Sequence, residues 1–235
     1  MPASPTLKEE IVCNDNDQII AKGYTLNNKP EGEYISFFGN GQVMVQLTYR
    51  NGLKEGEGVS YYHDGRIREK GTFRNDKLIG DFVCYYENGE VREEEHYGDD
   101  GLLDGIYRLY YRNGQLKDEE YFKSGKFDGE YVSYYRDGAL KEKGSFKNDK
   151  REGEYISFYK NGRIKEQAVY RNGKLVGKFI SFDEKGIAVD PKNRSEEATS
   201  TDDEESTQNR EQMVDNLLKG LGNYGSHDRS EEPRK

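Results

Sequence analysis

The residues best equipped for chemistry in this chain are its carboxylates, its three histidines and its two cysteines. Glu93-Glu94-Glu95 and Glu119-Glu120 supply adjacent carboxyl groups, the raw material of general acid and base work. Neighbours on an extended strand point to opposite faces, so adjacency does not aim two carboxylates at one substrate. A solvated charge run is the simpler account. His63, His96 and His227 are scattered, and Cys13 and Cys84 show neither ligand spacing nor a disulfide pattern. The many glycines open or close short segments, and none forms a phosphate loop between a strand and a helix. These residues call for no catalytic group, no metal and no cofactor.

A second set of residues points to binding. Phe37, Tyr61, Tyr85, Tyr110, Tyr134 and Phe158 recur along the chain, and seven residues after each stands Met44, Arg68, Arg92, Lys117, Lys141 or Lys165. A ring facing a cation gains about 0.5 to 1 kcal/mol at an exposed site, so basic stems covering rings are the simpler account. The functional account is a repeated surface for an acidic or extended partner.

The elements that must position these residues are repeats. An opening glycine recurs at Gly32, Gly56, Gly80, Gly105, Gly129, Gly153 and Gly177, spaced by 24, 24, 25, 24, 24 and 24 residues. Such a period marks a stacked array in place of a globule around one core. Each unit holds two short runs rich in Tyr, Phe, Val and Ile. The first turn is an Asn-Gly or Asp-Gly pair such as Asn40-Gly41, which suits a two-residue type I′ hairpin. The second, as at Asn51-Gly52, reads as looser. The fold expected is all-β, an elongated single-layer antiparallel meander of 24-residue hairpin repeats followed by a disordered C-terminal tail.

Counting from the opening glycine as position zero, a two-residue first turn pairs position five with twelve, six with eleven and zero with seventeen. One face would then pack Tyr62, Tyr86, Tyr111, Tyr135 and Tyr159 with Ile67, Val91, Leu116, Leu140 and Ile164, alongside Tyr34, Phe82, Tyr107, Tyr131 and Tyr155. The other face would carry the aromatic and basic pairs. Tyr49, Phe73, Phe146 and Tyr170 would cover the gaps left by the opening glycines. The 25-residue unit, with its extra residue near Gly98 to Gly101, is the place to expect a bulge or bend.

The organisation expected is a flexible stretch over 1–10, a capping half-repeat over 11–31, six and a half repeats over 32–190 and a disordered acidic tail over 191–235. Met213, Val214, Leu217, Leu218 and Leu221 give that tail a short amphipathic helix near 208–221. Only 32% of residues are apolar and 34% are charged, while 19 Tyr and 10 Phe supply the large side chains a thin sheet needs. The net charge of −9 lacks the basic surplus of a duplex or membrane-surface binder, and carboxylates along each strand argue against nucleic acid. No apolar run approaches a membrane span, and MPASPTLKEE lacks the features of a signal peptide, so cytoplasmic residence is the default and a secreted effector the other option.

The stretches YRNGLKEGEGVSYYHDG from Tyr49 and YRNGKLVGKF from Tyr170 resemble MORN repeats. Hairpins such as YYENG at 85–89 and YYRNG at 110–114 look like the bacterial MORN-variant repeats of proteins similar to the YwqK family, named as antitoxins. That resemblance implies a non-catalytic, protein-binding scaffold, antitoxin- or immunity-like, with another protein as partner. The alternative it carries is a peripheral module binding membrane phospholipid through the aromatic and basic stripe.

Overall fold

The computed structural model describes residues 6–189, so the acidic tail and its expected helix lie outside the described residues. Over the described residues the chain is one open antiparallel sheet of 20 strands, counting two-residue pieces, with no helix. Each unit gives one strand before the first turn, such as Gly32–Phe37, and one after it, such as Val43–Arg50. Each strand pairs with its neighbours in the chain, so the sheet is a meander, as the turn spacing requires.

The register follows the expected parity only part of the way. Gly32 faces Tyr49, Tyr34 faces Leu47 and Ser36 faces Val45, but Phe37 then faces Val43, and Met44 is skipped. The same slip recurs in the units opening at Gly56, Gly80, Gly105, Gly129 and Gly153. Position twelve is therefore a bulge residue. The bulge puts positions eleven and thirteen, two apart in sequence, on opposite faces.

Its cause is the first turn, which is not the two-residue type I′ loop expected. Phe38 N–H donates to the Gln42 carbonyl at 2.8 Å and Gly41 N–H to the Phe38 carbonyl at 2.9 Å, enclosing three residues. Gly41 alone of these takes a positive φ, 82°, while Asn40 Oδ1 accepts from Gln42 N–H at 3.0 Å. This is a type I turn closed by a left-handed residue, the usual three-residue hairpin. The type I′ geometry appears at the second turn, where Asn51 and Gly52 have φ of 53° and 88°, and Asn75-Asp76 manages it without glycine. In the 25-residue unit the second turn changes kind: Gly98 N–H donates to Leu102 and Gly101 N–H to Gly98, so the extra residue is absorbed in a three-residue loop.

The opening glycines do face the expected aromatics, but for another reason. Gly56 has φ 82°, and a Cβ there would meet nothing within 4 Å. The pairing shifts by two residues between Tyr49↔Lys54 and Gln46↔Val59, so the glycine serves the backbone kink. Aromatic cover occurs at strand-interior glycines instead: a Cβ on Gly71 would lie 2.7 Å from the Phe82 ring.

At the N-terminal edge, Lys8–Cys13 pairs with Ile19–Leu26 and carries the same bulge at its end. That makes a complete hairpin beginning ahead of residue 11, with Asp17 at φ 60° in the slot of the turn glycine.

The packed face holds positions two, four, thirteen, fifteen and seventeen. Position two belongs there as expected, with Phe82 and Tyr107 buried, and so does Cys84, 2% exposed in the serine slot. Positions six and eleven do not pack on each other. Ile67 is 39% exposed and pairs with Tyr61, while Tyr62 lies beside the turn. The position-six hydroxyls instead donate to position-five carbonyls of the following unit: Tyr62 to Tyr85 at 2.6 Å, Tyr86 to Tyr110 at 2.7 Å, Tyr111 to Tyr134 at 2.8 Å, Tyr135 to Phe158 at 2.8 Å and Tyr159 to Phe182 at 2.7 Å. Phe38, without a hydroxyl, stacks on His63 with centroids 3.8 Å apart.

Candidate binding surface

On the face opposite the core, positions five and eleven form directly facing pairs: Phe37–Val43, Tyr61–Ile67, Tyr85–Val91, Tyr110–Leu116, Tyr134–Leu140 and Phe158–Ile164. Position three adds Ile35, Val59, Val83, Val132 and Ile156 beside them, all half-buried. The turn chemistry sets this arrangement, because the bulge after each three-residue loop delivers position eleven to the face of position five. The result is an apolar stripe crossing six units of a single-layer sheet, with no second layer upon it among the described residues.

The expected ring-to-cation pairing between positions five and twelve is absent from this register. Position twelve is the bulge residue, and its cations turn toward acidic neighbours. Arg68 lies 3.2 Å from Glu69 and 3.3 Å from Ser60 Oγ, Arg92 lies 3.5 Å from Glu93, and Lys117 lies 3.6 Å from Asp118. Lys141 and Lys165 occupy the same bulge and are exposed. Rings do meet cations elsewhere, with Lys70 5.8 Å from the centre of Tyr85 and Arg112 5.4 Å from that of Tyr86. Tyr110 hydroxyl donates to Glu94 at 2.8 Å, and burial, with Glu94 beside it, pushes its phenol up to about 12.

The carboxylates behave differently from a solvated run. Glu94 and Glu119 stay on the outer face, where both engage Arg108, at 3.7 and 2.7 Å. Glu93, Glu95, Asp118 and Glu120 go to the packed face, and Glu120 is only 3% exposed. Phenols reach Glu93 and Glu95, and also the half-buried Glu142 of the next unit. Tyr97 donates to Glu95 at 2.6 Å, Tyr107 to Glu93, and both Tyr131 and Tyr155 to Glu142, the latter at 2.7 Å. Burial raises the Glu69 carboxyl above its ordinary value, opposed by Arg68 and Arg92, and raises the Tyr97 and Tyr131 phenols beside their carboxylates. The sequence signal for this was an acid recurring at position thirteen, as Glu69, Glu93, Asp118, Glu142 and Glu166, always across from position four of its own unit.

Among the described residues no cluster of three His, Cys, Asp or Glu is disposed to hold a metal ion, and no helix is long and apolar enough to cross a membrane. A shallow concavity lies beside Phe146, Arg151, Tyr155 and Tyr170. Cys84 is buried and its thiol pushed up, chiefly by burial, so it is poorly suited to nucleophilic work.

No curated protein matches the chain. Among solved structures, the crystal structure of a GtfA/B complex bound to UDP and GlcNAc is similar over 63% of this chain and 25% of its own, at 13% identity and a TM-score of 0.21. The crystal structure of TcdB2-TccC3-Cdc42 is similar over 74% of this chain and 13% of its own, at 11% identity and a TM-score of 0.21. The chain spans a quarter or less of those two chains, and likenesses this shallow carry no argument. Family comparison is decisive: the MORN repeat variant matches six times, at residues 30–51, 54–75, 78–99, 103–124, 127–148 and 151–172. Six matches in step with the hairpin period, over more than half of its length, place this chain in the MORN repeat variant family.

Proposed function

We propose that this chain is a non-catalytic repeat scaffold that binds another protein along the stripe of Phe37, Tyr61, Tyr85, Tyr110, Tyr134 and Phe158 with their position-eleven partners. The observation that carries this is the half-buried apolar stripe on a single-layer sheet whose other face already forms the core. Aromatic rows of this kind present large rigid contact area at low entropic cost. The family membership fits a scaffold, and an antitoxin- or immunity-like role, in which the stripe covers a toxin or effector, is the specific form we favour. A phospholipid role is less favoured, because Arg68, Arg92 and Lys117 are engaged with Glu69, Glu93 and Asp118 in place of facing outward with the rings.

The test is capture of partner from native extract by the full chain and by Tyr61→Ser/Tyr134→Ser. Capture at fixed stoichiometry by the wild type, lost in the variant while its thermal melting stays cooperative, supports the scaffold. Equal capture by both, or none by either, overturns it.

A further inference from the structure

The outer face carries a second row, along the edge formed by the second turns. In the units opening at Gly105, Gly129 and Gly153, positions eighteen and twenty-one face each other as Lys123–Lys126, Lys147–Lys150 and Arg171–Lys174. All six are exposed, and none closes an ion pair among the described residues. Like charges directly opposite on a sheet are destabilising, so three such pairs in succession work against the fold. The fold does not require them: Leu26 fills position eighteen in the first hairpin and Leu53 position twenty-one in the next. The stem of Lys150 lies against the following turn at Gly173. Asp128, Asp149 and Glu152 lie along the same edge, each accepting a backbone N–H of a neighbouring strand or turn, and they leave the row with a net positive charge.

We propose that this row of paired cations is a docking ladder for an extended acidic polypeptide segment, which deepens the scaffold reading and rests on it. Successive pairs are two strands apart, roughly 9.6 Å, and an extended chain in the polyproline II form makes one turn and advances about 9.3 Å in three residues, so every third side chain of one such segment falls on successive pairs. Other polyanions fit less well. Exposed Glu130 and Glu154 stand between the ladder and the aromatic stripe, and a lipid surface, broad and flat, would press on both rows. The rings of the stripe stand about six residues up the strand, roughly 20 Å away, beyond the reach of a base whose phosphate sits on the ladder.

The experiment is fluorescence anisotropy of a labelled deca-glutamate peptide with the full chain, against oligothymidylate of equal charge and anionic vesicles. Lys123→Glu/Lys147→Glu/Arg171→Glu is expected to weaken peptide binding about tenfold or more, and the charge-matched Lys22→Glu/Lys143→Glu/Lys185→Glu by less than about twofold. Equal losses in the two variants, no peptide binding, or tighter binding of oligothymidylate or vesicles would overturn the proposal. Tyr61→Ser/Tyr134→Ser is expected to keep peptide binding within about twofold. Absent peptide binding with partner capture intact therefore sinks the ladder alone, and lost capture with peptide binding intact sinks the stripe alone.

Discussion

The hairpins opening at Gly32 and Gly56 and those opening at Gly80 and Gly105 share one backbone and fill it in different proportions of hydrocarbon and carboxylate. The first pair buries chiefly hydrocarbon, Val45, Leu47, Phe73 and Leu78, around a single carboxylate, Glu69, with Lys54 pressed 5.5 Å from the Phe73 ring. The second pair buries Glu93, Glu95, Asp118 and Glu120 among Phe82, Tyr97 and Tyr107. Hydrocarbon needs no partner, whereas each buried carboxylate needs a donor and the donor must be delivered by the register. The comparison teaches that the repeat specifies a backbone first, and that positions thirteen and fifteen accept hydrocarbon or a carboxylate whose hydrogen bonds neighbouring side chains complete.

Three variants would break or sharpen that contrast. Leu47→Ala, at 2% exposure, is expected to cost about 3 kcal/mol in urea denaturation, since it opens a cavity where no neighbour can substitute. A cost under about 1 kcal/mol would mean that the hydrocarbon units are loosely packed. Glu142→Ala removes the shared acceptor of Tyr131 and Tyr155 in the unit next to the carboxylate pair, and about 2 kcal/mol is expected from two phenols left without it. A neutral result would show that the carboxylates are incidental to stability.

The smallest effect is in pH. The Tyr97 and Tyr131 phenols are raised in the folded chain, so the folded state holds more protons than the unfolded state above the ordinary phenol value of about 10. Their contribution to stability is present below that value and is lost as pH rises beyond it. Tyr97→Phe/Tyr131→Phe should flatten this alkaline decline. Hydrogen exchange by amides near Glu95 should rise above pH of about 10 before exchange near Leu47; simultaneous loss would show the two regions opening together.

Much of the fold was legible because the 24-residue period, the turn dipeptides and the pairing of positions zero to four follow from residue types alone. The bulge was not. An Asn-Gly pair suits a type I′ turn and equally the end of a three-residue loop, and that one-residue difference reassigns positions five, six, eleven and twelve. So the aromatic half of the candidate site could be read and its basic half was misplaced. The buried acids were illegible for a different reason: Glu93 and Glu95 look solvated in any single strand, and only Tyr107 on the next strand and Tyr97 two residues on make their burial tolerable. The basic ladder was open to view as Lys and Arg around the second turns of the units opening at Gly105, Gly129 and Gly153, but its pairing rests on those turns being the tight ones.

The tyrosine rungs, each joining residues 23 or 24 apart, bear on how the chain is made. No hydrogen bond described above spans more than two dozen residues, so loop closure stays short at every step and contact order stays low. Each hairpin can add to the one before it as synthesis proceeds, waiting for nothing more distant than the next unit. Chains truncated after Arg74, Lys123 or Lys147 should accordingly retain strand signal by circular dichroism in proportion to their length; a collapse to coil at any of these points would show that the array folds only as a whole.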